Sequence, residues 1–185
     1  KQGYAVILNN MSLLEKTGNH YSELASYQSA ISKSIKLFNK TQIDGLVYVA
    51  MHDRDVMELI PKLSIPIVLV YCYDTSKKNY YVTYDNMDVI ADVAEYLMKH
   101  GHEKIGVIKG AEDSLPSQKR LKSFITQLEK AGKELKEEYI FPGAWEFGDG
   151  VKAYERFKQL EEKPTAIFAM NDLMAAGFMD AALND

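Results

Sequence analysis

The sequence predicts an α/β fold of two tandem units, each a parallel sheet flanked by helices. Short runs of continuous rather than alternating apolar residues are separated by stretches of helical periodicity, the mark of strands covered on both faces. The pattern restarts near mid-chain. A length of 185 residues suits one or two domains of roughly 100 residues each. Apolar residues make up 46% and charged residues 26%, ordinary globular usage that excludes a disordered tail, a collagen-like fibre and a polybasic arm.

The elements follow in order. Tyr4 to Leu8 is a short apolar run ended by Asn9-Asn10, and it reads as a buried strand closing in a turn. From Tyr21 to Asn39, Leu24, Tyr27, Ala30, Ile31, Ile35 and Phe38 recur at helical spacing. Gly45 to Ala50 is a second strand after the turn residues Asp44-Gly45. Asp55 to Leu63 reads as a short helix, and Pro66 to Tyr71 as a third strand. After Thr75–Asn79 and a strand at Tyr80–Tyr84, the second unit begins. Met87 to His100 carries Val89, Ile90, Val93, Ala94, Leu97 and Met98 as a helical stripe. Lys104–Lys109 is a strand, Ser117–Ala131 a helix stopped by Gly132, and Glu138–Phe141 a strand. Gly148–Leu160 is a helix, Ala166–Met170 a strand and Asp172–Leu183 a helix. The domains expected are residues 1–82 and 83–185.

Charge and composition exclude several functions. Net charge is −4, divided as +2 over residues 1–83 and −6 over 84–185, so neither half is a basic platform for a phosphate backbone. The longest apolar stretch, Ile65 to Tyr73, has nine residues, against about 20 for a membrane span. The single Cys72 allows no internal disulfide or metal cluster. The chain starts at Lys1 without a signal peptide and stops within an apolar helical pattern, which reads as a piece of a longer protein.

In parallel α/β sheets, ligands sit outside the carboxyl ends of the strands. The residues there are Asn9-Asn10, Met51-His52, Tyr71 to Asp74, Gly110 to Ser114, Gly143 to Trp145 and Asn171-Asp172. Arg120, near a helix start where the dipole disfavours a cation, has a fork suited to hydroxyls or a carboxylate. Against this stands a solvated residue beside Lys119 and Lys122. Trp145, the only tryptophan, is either a wall stacking on a ligand ring or a packing residue. Asp172 fits capping or the first turn of a helix, which leaves Asn171 to face the crevice. His100-Gly-His102 is better explained as a helix-ending glycine than as a chelate. His20 and His52 are isolated. No Gly-rich phosphate loop and no G-x-S-x-G elbow is present, and Cys72 lacks a His partner. Neither an enzyme nor a cofactor or metal is expected.

Several motifs occur together in one order: Ile43-Asp-Gly-Leu-Val47, Ile65-Pro-Ile-Val-Leu-Val70, Val82-Thr-Tyr-Asp-Asn86, Tyr96 to Gly110, Arg120-Leu-Lys-Ser-Phe124 and Pro164 to Gly177. The series resembles the effector-binding core of LacI/GalR-family transcriptional regulators, and covers nearly the whole chain apart from residues 11–40. The resemblance implies the type I periplasmic-binding-protein-like fold: two Rossmann-like subdomains, both incomplete here, with a small-molecule effector, a sugar or sugar phosphate, between them. It further implies a hinge near Thr75–Tyr84 and allosteric switching of operator DNA binding through a helix-turn-helix domain outside this piece. A cytoplasmic homodimer is implied as well. Arg120 matches the effector-binding arginine of the family, although Ser123 replaces the usual Gly. Trp145 falls where the family often places an aromatic over a sugar ring, and Asn171 matches an effector-contacting Asn. Tyr71 stands where many members have Asp, so the carboxylate that accepts sugar hydroxyls is lost or replaced by Asp74. The rival reading is a periplasmic sugar receptor of an ABC transporter with the same fold.

Overall fold

In a computed structural model the described residues are 3–18, 20–51, 53–76 and 78–185. His52 and Lys77, the latter within the expected hinge, lie outside them. The chain forms two units, Lys1–Thr83 and Tyr84–Asp185.

In the first unit, the short helix α1 (Leu13–Thr17) is followed by a 3₁₀ segment at Tyr21–Tyr27 and by α2 (Gln28–Lys40). The single helix read from the sequence is thus divided. Tyr21, Leu24 and Tyr27 are three apart, and in a 3₁₀ helix that spacing puts side chains on one face. Tyr21 and Leu24 are buried there. Strands β1 (Leu46–Val49), β2 (Ile67–Val70) and β3 (Tyr80–Val82) pair in that order, all parallel. Leu46, Tyr48, Ile67 and Leu69 pack with Leu24, Ile31 and Ile35. Strand side chains alternate between faces, and Val47 and Val49 on the other face are exposed. Coverage of both faces, expected from the continuous apolar runs, is not realised at β1.

Two expected elements of this unit are absent. Tyr4–Leu8 is not a strand, and Tyr4, Val6, Ile7 and Leu8 are exposed; an apolar run becomes a strand only where a partner takes its backbone groups. Asp55–Leu63 is a turn, not a helix. The Asp55 carboxylate accepts from the Met57 amide at 2.9 Å, a local bond that competes with helix, and Pro61 biases the residue before it away from helix. The segment instead bridges to Tyr73 in parallel fashion.

The second unit runs α3 (Asp88–Lys99), β4 (Ile105–Lys109), α4 (Leu115–Lys130), β5 (Ile140–Pro142), α5 (Phe147–Phe157), β6 (Ala166–Ala169) and α6 (Asp172–Leu183). Helix α3 ends at Gly101, whose φ of 82° is the left-handed conformation that glycine adopts without strain. The expected strand at Glu138–Phe141 begins two residues later, because Glu137–Tyr139 forms a 3₁₀ turn that buries Tyr139.

Strand order is β5-β4-β6, again all parallel. The chain steps from β4 to β5, then crosses back over β4 to β6. Right-handed crossovers therefore place α4 and α5 on opposite faces. Helix α3 packs on α4, and α5 on α6. Between these layers lie Val107, Ile108, Phe124, Phe157, Phe168 and Met174, all buried, with the Phe124 and Phe168 rings stacked at 5.0 Å. The crossover that leaves β4 goes to β5 on one side and the one that leaves β5 returns past β4 to β6 on the other, so the order reverses at β4, and the carboxyl end of such a strand is where open α/β sheets take ligands.

Candidate functional site

Three loops converge at that carboxyl end: Gly110 after β4, Gly143–Trp145 after β5 and Met170-Asn171 after β6. Helix α4 starts at Leu115, capped by Ser114, whose hydroxyl accepts from the Ser117 amide. Arg120 is thus the sixth helical residue, beyond the first turn, and the dipole objection to a cation there falls away. Its Nε donates to Asn86 Oδ1 at 2.9 Å and its Nη1 to the Met170 carbonyl at 2.5 Å. The guanidinium carbon lies 5.7 Å from the Tyr84 ring centroid and 5.9 Å from that of Trp145, within cation–π range. A guanidinium has five N–H donors. With two engaged, three have no protein partner among the described residues.

Trp145 lies against Gly110. A Cβ on Gly110 would fall 2.0 Å from the indole Cζ2, so only glycine permits this seat. The indole N–H is buried and has no hydrogen-bond partner among the described residues. Asn171 is the N-cap of α6. Its Oδ1 accepts from the Met174 amide and its Nδ2 donates to the Trp145 carbonyl, both at 2.9 Å. The cap is therefore Asn171, while Asp172 occupies the first turn and is exposed. Arg120, Trp145 and Asn171, 25 and 26 residues apart in sequence, meet at one sheet edge.

The family model for periplasmic binding proteins and the sugar binding domain of the LacI family matches residues 18–185. The chain belongs to this family. A HTH-type transcriptional repressor PurR of Mannheimia succiniciproducens is 30% identical over 192 residues, covering 98% of this chain and 51% of the relative. Catabolite control protein A of Priestia megaterium is 28% identical over 155 residues, covering 81% and 47%. The transcriptional repressor ascG of Escherichia coli has a similar crystal structure, with a TM-score of 0.70, 25% identity and coverage of 91% of this chain and 70% of that one. The chain spans about half the length of the curated relatives it matches.

Within the first unit of this LacI-family chain, Tyr71 and Asp74 follow β2. Tyr71 has φ 58°, a left-handed conformation unusual for an aromatic residue, and the residue is 47% exposed. Asp74 is 3% exposed. Its Oδ1 accepts from the Ser76 amide and hydroxyl and its Oδ2 from Asn79 Nδ2. The Ser76 hydroxyl, with these other donors, holds the Asp74 carboxyl below the usual carboxylate range. The group is built into a turn, not presented to solvent.

That shift predicts a pH effect. A carboxyl whose folded pKa is depressed stabilises fully above its unfolded value, about 3.9. The contribution is lost as pH falls through the folded value. Asp74→Ala is expected to lower stability at pH 7 by about 1.5–3 kcal/mol, the worth of hydrogen bonds to a charged group. The gap to the parent should narrow below pH 4. Urea unfolding at pH 7 and pH 3 checks both.

Cys72 is fully buried, and burial pushes its thiol up to about 12, so no thiolate nucleophile exists at neutral pH. His100 and His102 each hydrogen-bond elsewhere, to the Tyr96 carbonyl and the Thr165 hydroxyl. Two hollows of the second unit lie away from the sheet edge, one beside Met98 and Lys130 and the other beside Tyr154 and Pro164. Neither collects the unsatisfied donors of Arg120.

Sequence reasoning missed Tyr84, Asn86 and the close seat at Gly110. The run Tyr84-Asp-Asn86 holds the signal for two of them. Asp85 Oδ1 accepts from the amides of Met87 and Asp88, and this side-chain turn just before α3 fixes the segment that carries Tyr84 and Asn86. Ser123 donates to the Met87 carbonyl at 2.5 Å and joins α4 to the start of α3.

Proposed function

We propose that this chain is the effector-binding part of a LacI-type transcriptional regulator and takes a sugar or sugar phosphate at the carboxyl edge of the β5-β4-β6 sheet. The observation that carries the reading is Arg120. Its guanidinium is held on one side by Asn86 and the Met170 carbonyl, and three donors remain for a ligand's hydroxyl or phosphate oxygens. Trp145 supplies a flat apolar wall with an unsatisfied N–H, and Asn171 holds that wall. The two units, residues 1–82 and 83–185 in this reading, are the incomplete N- and C-terminal subdomains of the core. In the first, Tyr71 is the ligand-facing candidate, and Asp74 shapes the loop that carries it.

In the intact regulator the effector shifts binding of operator DNA by a separate helix-turn-helix domain. It does so only by the difference in its affinity for two states. A homodimer in the cytoplasm fits this role, since paired heads read half-sites at fixed spacing. The chain is a sensor, not an enzyme. A transport receptor of the same fold is the weaker reading, because the curated relatives named above are a transcriptional repressor and a catabolite control protein.

A thermal-shift screen against sugars, sugar phosphates and nucleobases tests the proposal. A ligand at one hundred times its dissociation constant adds about 2.7 kcal/mol, a rise of several degrees. No rise with any sugar or sugar phosphate would count against the ligand class.

A further inference from the structure

We propose that Asp149 is a positioning residue of the ligand site, acting with Asn171 as a clamp that fixes Trp145 against Gly110. This rests on the reading of Trp145 as a ligand wall. Trp145 has φ 75°, a region in which a bulky side chain is an outlier that its surroundings must impose. Asp149, third residue of α5, accepts through one oxygen from the Ala144 amide at 2.6 Å and the Glu146 amide at 3.1 Å. The Glu146 amide belongs to the peptide that leaves Trp145, and the Ala144 amide to the peptide one before the one that enters it. From the other side Asn171 Nδ2 holds the Trp145 carbonyl at 2.9 Å.

The bonds to the Ala144 and Glu146 amides and to the Trp145 carbonyl thus come from the first turn of α5 and the cap of α6. These two helices are packed close. A Cβ on Gly150 would fall 2.0 Å from the Met174 carbonyl oxygen, and one on Gly177 2.0 Å from that of Phe147. The indole N–H makes no bond of its own among the described residues, so the ring's seat is inherited from the clamp.

The plainer role of Asp149 is helix capping. Asp149 and Glu146 form a reciprocal capping box, and the Glu146 amide bond belongs to it. The bond from the Ala144 amide does not belong to it, nor does the Asn171 bond to Trp145. Those two bonds separate a clamp from a cap.

The only tryptophan of the chain is Trp145, so acrylamide quenching of its fluorescence reports the clamp without any ligand. Asp149→Ala removes the acceptor of both bonds. Asp149→Asn keeps an acceptor oxygen and serves as the rescue. Asn171→Asp keeps the cap acceptor for Met174 but cannot donate to the Trp145 carbonyl. All are measured well below their melting temperatures, with circular dichroism to show native folding. The expected result is at least a twofold rise in the quenching constant and a red-shifted emission for Asp149→Ala and Asn171→Asp, with Asp149→Asn close to the parent. A folded Asp149→Ala or Asn171→Asp with parental quenching overturns the clamp. If Asp149→Ala does not fold, Asn171→Asp alone decides between the two outcomes. A failed ligand screen leaves this result standing, and parental quenching leaves the ligand reading standing, so the two fail separately.

Discussion

Phe124→Ala lowers the stability of the second unit by about 3–5 kcal/mol, the usual cost of emptying a buried phenylalanine site. Phe124 on α4 is fully buried, and its ring stacks on Phe168 of β6 at 5.0 Å with 19° between planes. The truncation removes apolar burial and ring contact together and leaves a cavity between helix and sheet. Collapse is resisted from both sides, by the paired backbone of β4 and β6 and by the Ser123 bond to the start of α3. For a domain of this size each kcal/mol is worth about 4–8 °C in melting temperature, so a differential scanning calorimeter reads the effect directly. Phe124→Leu, which keeps most of the volume, should cost about 1.5 kcal/mol or less. Equal losses in the two variants would show that ring volume is not what the site needs.

Gly177→Ala is expected to destabilise the α5–α6 pair, although alanine is the better helix former. The propensity gain is about 1 kcal/mol at most. Against it stands a Cβ placed 2.0 Å from the Phe147 carbonyl oxygen, a backbone atom that moves only if the helices part. Overpacking costs about 1–3 kcal/mol, and an approach this close to a backbone oxygen belongs at the upper end, so the clash wins by about 1–2 kcal/mol. Gly148→Ala on α5 is the control, since its Cβ would meet nothing within 4 Å. There the propensity term acts alone, and stability should rise by a few tenths to about 1 kcal/mol. The same substitution on two adjacent helices thus has opposite signs. Chemical unfolding of both variants checks this, and a neutral or stabilising Gly177→Ala would contradict the close packing.

The second unit was legible in the sequence because its elements are locally consistent. The α3 stripe from Val89 to Met98 has one helical period, the β4 run is continuous, and the largely apolar Asp172–Leu183 helix starts on the capping Asn171. The first unit was harder to read because what decides its elements lies outside the local pattern. Tyr4–Leu8 has strand composition but no paired edge. Asp55–Leu63 has helical spacing, overridden by an Asx bond and Pro61. At the candidate site, Arg120, Trp145 and Asn171 were marked by residue type and resemblance. Their neighbours were not, because Asn86 and Gly110 matter through distances that no spacing reveals. The strain at Tyr71 and Trp145 is likewise a property of backbone angles.

The central claim is that Arg120 offers its unpaired donors to a sugar-like effector. Titration calorimetry of the parent and of Arg120→Ala with a ligand found in the thermal-shift screen tests it most directly. Losing a charge-assisted hydrogen bond costs about 1.5–3 kcal/mol, so affinity should fall by about tenfold to a hundredfold, with the variant still folded. Arg120→Lys should recover only part of it, since a point charge does not reproduce the fork. An unchanged affinity in folded Arg120→Ala would remove Arg120 from the site and contradict the account.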